Sequence, residues 1–105
     1  MHATMRRYEG VDQSRTDELV KKVGETFLPQ LSKLPGFSGY YLIESGDGML
    51  SSISFFETRE QAAESTRIAA DWVLLEKLEE ALPTPPKVTG GTVIAHKTNG
   101  AVALL

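Results

Sequence analysis

The chain has 105 residues, of which 41% are hydrophobic and 24% are charged, and its formal net charge is -3 at pH 7. A chain of this length forms one domain that buries roughly two-thirds of the surface exposed on unfolding. The 11 basic and 14 acidic residues provide no cationic surface for nucleic acid or for an anionic membrane. Because the sequence contains no cysteine, disulfides, thiolate nucleophiles, iron–sulfur clusters and cysteine-bound zinc are excluded.

The two ends of the chain carry neither a membrane span nor a secretory signal. No stretch approaches the ~20 consecutive apolar residues of a spanning helix, and residues 1–7 lack the apolar core of a signal peptide. We therefore expect a cytoplasmic protein. We divide the chain into a single domain over residues 1–98 and an apolar C-terminal tail over residues 99–105, which we expect to pack, for example, against the sheet edge of a second copy.

The first third of the chain predicts a strand and then a helix. Residues 2–8 alternate between two sides, which indicates a strand. Ser14-Arg15-Thr16-Asp17 resembles a capping box, with aspartate in place of glutamate, and predicts that a helix begins there. Pro29 interrupts the apolar stripe of this helix, so we expect either a kink near Phe27-Leu28 or a restart with Pro29 in a first-turn position. Pro35-Gly36 ends the helix.

The middle of the chain predicts an antiparallel hairpin. Residues 37–45 and 49–56 are rich in residues that favour strands, and the second segment alternates strictly. Between them lies Gly46-Asp47-Gly48, whose glycines tolerate positive φ. A three-residue loop of this kind joins two adjacent strands.

The last third predicts a long helix and a final strand. Thr58-Arg59-Glu60-Gln61 is a second capping box, and no glycine or proline follows it until Leu82, so we predict a helix over Arg59–Leu82. Prolines at 83, 85 and 86 stop this helix, and Lys87–Lys97 is predicted as a strand in which Gly90-Gly91 indicates a bulge or a close backbone approach. The buried stripe of the helix comprises Ser65, Ile68, Ala69, Trp72, Leu75, Leu78 and Leu82.

The element order is therefore βαββαβ, which predicts an α+β ferredoxin-like fold: a four-stranded antiparallel sheet with both helices on one face. The strands are apolar on both sides, since Tyr40 and Leu42 oppose Tyr41 and Ile43. Large exposed apolar patches are rare on monomers. We expect that a second copy covers the other sheet face in a homodimer.

Several segments together resemble those of a known group of proteins. They are Arg6-Arg7-Tyr8, Leu34-Pro35-Gly36-Phe37, Tyr40-Tyr41-Leu42-Ile43, Ser52-Ile53-Ser54-Phe55-Phe56-Glu57 and Ala69-Ala70-Asp71-Trp72-Val73. Over nearly its whole length the chain resembles the dimeric α+β barrel superfamily, and within it the small antibiotic-biosynthesis-monooxygenase-like proteins. The resemblance implies a homodimer whose sheets meet in a barrel, and a pocket between the sheet and the helices of each subunit.

The superfamily includes cofactor-independent oxygenases of phenols and quinols, haem-degrading enzymes, lactone isomerases and proteins without an assigned activity, so its fold constrains function loosely. The haem-degrading branch uses asparagine, tryptophan and histidine. Trp72 could match the tryptophan, but Asn99 lies beyond the last predicted strand and neither His2 nor His96 lies on a predicted helix. These departures argue against haem degradation.

In the oxygenase branch the substrate itself passes an electron to oxygen, so the protein supplies desolvation, orientation and a group that stabilises a phenolate. Arginine, tyrosine and tryptophan suffice for these tasks, and no cofactor is implied. Histidine is the side chain that titrates near neutral pH and could act as the base. The candidate residues are Arg6 and His96 for catalysis, and Tyr8, Tyr40, Trp72 and Arg67 for substrate binding.

The aromatic candidates and the histidine also have plainer explanations. Trp72 fits the core stripe of its helix, and tyrosines are favoured in strands because they fit pleated surfaces. His96 near the end of the last predicted strand could simply be exposed. No spacing motif joins His2 and His96 to carboxylates, so no metal site is predicted.

The arginines have alternatives as well. Arg6 and Arg7 alternate faces, so one of them points inward and needs either a carboxylate or an anionic ligand. Arg67 is spaced to pair with Glu64 or Asp71 on its own helix.

Three functions remain open from the sequence. The first is oxygenation of a small phenol or quinol. The second is non-catalytic binding or a structural role, with the pocket closed by side chains such as Ile68 and Phe55. The third is acid/base catalysis of the lactone-isomerase kind, which needs a titrating group in the cavity. The expected partners are a small aromatic molecule and a second copy of the chain.

Overall fold

A computed structural model describes residues 1–97 of the chain. The predicted tail over 99–105, with Asn99, lies outside the described residues. The fold is the α+β ferredoxin-like arrangement predicted from the sequence. Its elements are β1 (His2–Tyr8), a 3₁₀ turn (Gln13–Arg15), α1 (Thr16–Lys22), a π-helical segment (Val23–Phe27), α2 (Leu28–Ser32), β2 (Phe37–Gly46), β3 (Met49–Phe56), α3 (Arg59–Leu75) and β4 (Lys87–Thr92).

The four strands form one antiparallel sheet in the order β2-β3-β1-β4. In this register Arg6 lies opposite Ser52 of β3 and Val88 of β4. Because side chains alternate along a strand, Arg6 faces the helices and Arg7 faces away from them. The register therefore decides which of the two adjacent arginines points inward.

The predicted first helix is built from three consecutive segments, which are α1, the π-helical segment and α2. The capping box predicted at Ser14 is wrong, because Asp12 caps the 3₁₀ turn by accepting from the Ser14 backbone N–H at 3.1 Å, and α1 begins at Thr16 without a side-chain cap. The predicted restart at Pro29 is confirmed, since Pro29 lies in the first turn of α2. Proline cannot donate a helical hydrogen bond, and the π-helical segment accommodates the break just before it.

Helix α3 begins as predicted, with Thr58 and Gln61 forming a capping box. It ends at Leu75, seven residues before the predicted end at Leu82, because Lys77 adopts a left-handed conformation with φ 56°. The Leu78 N–H then donates to the Val73 carbonyl at 2.9 Å and closes the helix end. This turn buries Leu78 completely and leaves Leu75 76% exposed, so the predicted place of Leu75 in the core stripe is wrong.

The last strand is an exposed edge. It ends at Thr92, five residues before the predicted end at Lys97, and all six of its residues are exposed. Gly90 provides the close approach predicted from the sequence, since a Cβ there would lie 3.0 Å from Nε2 of His2 and 3.3 Å from the Ala3 carbonyl. No bulge interrupts the pairing of β4 with β1.

The two sheet faces differ in cover. The helices pack on one face and enclose the core, which includes Leu19, Phe27, Leu31, Phe56 and Trp72. The other face, which we call the outer sheet face, carries Met5, Tyr41, Ile43, Ile53 and Phe55, and the first three of these are exposed.

Candidate functional site

The centre of the site is the guanidinium of Arg6, which is only 1% exposed. Its Nη2 donates to the Ser65 hydroxyl at 2.9 Å and to the Thr66 hydroxyl at 3.0 Å, both on α3. Its Nη1 donates to the Ser54 hydroxyl of β3 at 3.4 Å. Three neutral hydroxyl groups therefore orient the side chain without neutralising its charge.

Arg6 lacks a counter-charge among the described residues. No carboxylate of residues 1–97 forms an ion pair with it, and its Nε is buried without a hydrogen-bond partner. Burial lowers the pKa of Arg6, but arginine starts from so high a value that it stays protonated at neutral pH. A buried charge with an unused donor is unfavourable unless an anion binds there.

Two tyrosine hydroxyls lie near Arg6. Burial raises the pKa of Tyr8 and raises the pKa of Tyr40 to about 12. Both side chains are therefore neutral phenols at physiological pH. Each can donate a hydrogen bond to an anion.

Arg6 and Tyr8 line two adjoining spaces. The first, which we call the inner cavity, has a volume of about 30 Å³ and lies between the sheet and both helical layers, with Val23, Tyr40 and Trp72 in its wall. The second, the outer groove, has a volume of about 360 Å³ and lies between α3 and residues 82–86, with Glu79 also in its lining. Ala69 and Leu82 also line both spaces. The outer groove and the inner cavity thus meet at the side chain of Arg6, which is almost fully buried between them.

Trp72 lines the inner cavity but does not direct its polar group into it. Its indole N–H donates to the Thr26 hydroxyl at 2.7 Å, and its ring packs on Phe27 with centroids 5.0 Å apart. The Thr26 hydroxyl in turn donates to the Lys22 carbonyl at 2.9 Å. Trp72 therefore contributes a flat apolar wall to the cavity.

The remaining two candidates lie elsewhere. Arg67 is exposed on α3 and pairs with Glu64 and Asp71, as its spacing predicted. His96 follows β4 and is exposed; with Tyr41 and Phe55 it lines a depression on the outer side of the sheet. The structure thus brings together Arg6, Tyr8, Tyr40 and Trp72, and it separates Arg67 and His96 from them.

The sequence did not identify the residues that hold Arg6. The sequence predicts Ser65 only as part of the helix stripe, and it indicates no partner for Ser54. The available signal was a pair of hydroxyl residues, Ser65 and Thr66, on the buried side of an otherwise apolar stripe, facing a serine-rich strand. A hydroxyl on an apolar stripe needs a partner, and only the tertiary structure identifies Arg6 as that partner.

Two other features are absent from the described residues, a metal-binding cluster and a membrane-spanning helix. Within residues 1–97, no three His, Cys, Asp or Glu side chains are grouped so that they could hold a metal ion. Among the same residues, no helix is long and apolar enough to cross a membrane.

The fold places the chain in a recognisable structural class: it has the fold of the antibiotic-biosynthesis-monooxygenase-like proteins. The NE2512 protein of unknown function from Nitrosomonas europaea superposes with a TM-score of 0.72 at 18% identity, over 95% of each chain. A monooxygenase from ActVA-Orf6 of Streptomyces coelicolor, in complex with nanaomycin D, superposes with a TM-score of 0.70 at 17% identity, over 92% of this chain and 90% of that one.

A candidate antibiotic biosynthesis monooxygenase from Bordetella bronchiseptica gives a TM-score of 0.71 at 20% identity, over 90% of this chain and 97% of that one. The sequence itself matches no protein-family model and no curated protein. At these identities the similarity establishes the fold, and the function has to be argued from the site.

Proposed function

We propose that this chain binds a small phenol or quinol and oxygenates it without a cofactor. The observation that carries the proposal is the buried Arg6 side chain, which has no counter-charge among residues 1–97 and lines both the inner cavity and the outer groove. The chain also shares its fold with a monooxygenase that was crystallised with a small-molecule ligand, and this similarity supports the proposed activity.

The chemistry requires an electron-rich anion and dioxygen. A phenol that ionises beside Arg6 gives one electron to dioxygen, so the ring becomes a phenoxyl radical and dioxygen becomes superoxide. The two join in a carbon–oxygen bond, and the peroxide takes up the proton that the phenol lost. Loss of water, with the ring hydrogen at the attacked carbon, leaves a carbonyl, so phenol and dioxygen give quinone and water.

Each residue near Arg6 has a definite task in this reaction. Arg6 stabilises the phenolate through its buried positive charge. Tyr8, a neutral phenol that lines both spaces, donates a hydrogen bond to the phenolate oxygen. Tyr40 and Trp72 line only the inner cavity, where the neutral Tyr40 hydroxyl can donate to the peroxide and Trp72 supplies a flat wall. The proposal needs no contribution from His96 or Arg67, because neither lines the two spaces.

The test compares two adjacent arginines. We expect purified protein to consume oxygen with a quinol present, and we expect Arg6→Ala to lower kcat/KM by roughly 100-fold or more, as loss of an anion-stabilising group does. Arg7→Ala is the matched control, because Arg7 is exposed, faces away from the helices and pairs with Glu9. Equal rates in the two variants would contradict the assignment of Arg6.

A non-catalytic binding protein is the second candidate, favoured by the small volume of the inner cavity, which is about 30 Å³. Saturable quenching of Trp72 fluorescence by quinols without oxygen uptake would support it. An isomerase of the acid/base kind has less support, because the tyrosines and the arginine at this site do not titrate near neutral pH.

We also propose that the protein works as a homodimer joined through the outer sheet face. Exposed Tyr41 and Ile43 lie there beside half-buried Ile53 and Phe55, and a contiguous apolar surface of this kind is unusual on a monomer. The cytoplasmic location expected from the sequence stays a prediction.

A further inference from the structure

We propose that the inner cavity is a binding site for dioxygen, separate from the outer groove that holds the organic substrate. The inference rests on the proposed oxygenase function and concerns where the second reactant binds.

Size is the first argument. A cavity needs a volume of roughly 10–15 Å³ to hold one water molecule, and the inner cavity has a volume of about 30 Å³. The inner cavity therefore has room for about two non-hydrogen atoms, which suits a diatomic molecule and excludes an aromatic ring. The outer groove, at about 360 Å³, lies within the range of small-molecule sites.

The character of the wall is the second argument. Most of the wall of the inner cavity is apolar, with side chains such as Leu19, Val23, Phe27 and Leu42, and its polar groups come from Arg6, Tyr8, Tyr40 and Ser52. Apolar cavities in proteins favour apolar guests such as xenon over water. Dioxygen is a neutral apolar molecule of similar behaviour and would partition into such a space.

The position of Arg6 is the third argument. The Arg6 side chain lines both spaces, and its Nε has no hydrogen-bond partner within residues 1–97. When the phenolate gives an electron to dioxygen, the negative charge stays beside Arg6, at the junction of the two spaces where the two radicals meet and form the carbon–oxygen bond. A cation fixed by Ser65 and Thr66 stabilises the charge before and after the transfer without having to move.

The first experiment needs no substrate. Dissolved oxygen is paramagnetic, so raised oxygen pressure accelerates NMR relaxation of methyl groups near bound oxygen. We expect the methyl groups of Leu19, Val23 and Leu42 to relax several-fold faster than those of Val11. Val11 is the internal control because it is as buried as Val23, at 8% exposure, but does not line the cavity. Equal effects at Val11 and at the cavity residues would overturn the inference.

The second experiment fills the cavity. Val23→Ile adds one methylene to the wall, and Val11→Ile makes the same change elsewhere in the core. We expect Val23→Ile to raise KM for oxygen at least about threefold while the Kd of the quinol stays unchanged, and Val11→Ile to change neither. Weakened quinol binding in Val23→Ile would place the organic substrate in the inner cavity and overturn the inference.

The outcomes keep the two proposals apart. Oxygen uptake with quinols, without selective relaxation at the cavity methyl groups, would leave the oxygenase function standing and remove the dioxygen site. Selective relaxation without uptake would support the dioxygen site and count against the oxygenase function. If Val23→Ile does not fold, the relaxation measurement on the unaltered chain still decides the inference.

Discussion

Arg6 combines two properties that rarely occur together in a stable core: it is almost completely buried, and no carboxylate in the described part of the chain, residues 1–97, balances its charge. The core would gain from removing such a charge, since a buried ion pays a large desolvation penalty that only good partners offset. Its three hydroxyl partners orient it but leave its charge unbalanced. A residue that costs stability and is held in one orientation has the properties expected of a binding residue.

We therefore predict that Arg6→Met leaves the free energy of unfolding unchanged or raises it by about 1–2 kcal/mol, while it abolishes binding of anionic phenols. Ser65 keeps a partner in this variant, because its hydroxyl also donates to the Ala62 carbonyl at 2.6 Å. Urea unfolding and a fluorescence titration on the same sample check both parts. A stability loss above about 2 kcal/mol would identify Arg6 as a structural residue instead.

Tyr40 should make the protein sensitive to alkali. Burial raises its pKa in the folded chain from 10.0 to about 12, so the folded state favours the neutral phenol. Its contribution to stability is fully present below pH 10 and is lost as the pH rises through about 12. We predict that Tyr40→Phe makes the loss of stability over this interval shallower, by roughly 2 kcal/mol at its upper end. Urea unfolding at a series of pH values measures it, and an unchanged slope would contradict the account.

At the scale of elements, the sequence correctly predicts those parts of the fold that depend on interactions between residues close together in the chain. The predicted hairpin is confirmed with a shorter loop: β2 extends through Gly46, which pairs with Met49, so the two residues Asp47-Gly48 join β2 and β3 instead of the three predicted. Gly46, Asp47 and Gly48 all have positive φ, which the two glycines readily adopt. The capping box at Thr58 is confirmed because both of its hydrogen bonds lie within four residues. The residues that specify such elements lie within the elements themselves.

The parts that could not be predicted depend on tertiary packing. No glycine marks the end of α3, and Lys77 adopts the left-handed conformation because the turn buries Leu78. The choice between Arg6 and Arg7 depends on the register of a strand, and a shift of one residue would exchange them. The hydroxyl partners of Arg6 are 48 to 60 residues away from it in sequence.

The end of α3 offers a stability test. Lys77 adopts a left-handed conformation, in which its Cβ causes a steric strain that glycine avoids. We predict that Lys77→Gly raises the free energy of unfolding by about 0.5–1 kcal/mol, measured by urea unfolding. Lys21→Gly is the control, since Lys21 lies inside α1 and glycine there should cost about 1 kcal/mol. A loss of stability in both variants would count against the turn as described.

At the scale of the whole molecule, the proposal is that the outer sheet face forms the interface of a homodimer. We predict that the protein has twice the chain mass in solution and that Ile43→Lys, at a position 43% exposed in the single chain, gives a monomer with unchanged helix content. Val20→Lys is the control, because Val20 is an exposed apolar residue of α1 on the other side of the molecule. Light scattering measures the mass. A monomer without any substitution would contradict the proposed dimer.

The central claim is that buried Arg6 binds a phenol as its anion, and the most direct test is the ionisation state of a bound phenol. A nitrophenol absorbs differently as phenol and as phenolate, so its spectrum reports that state. We predict that the bound probe shows the phenolate spectrum at a pH where the free probe is mostly protonated, in the unaltered protein and in Arg7→Ala but not in Arg6→Met. A bound probe that ionises as it does in free solution, or that ionises alike in all three proteins, would contradict the account.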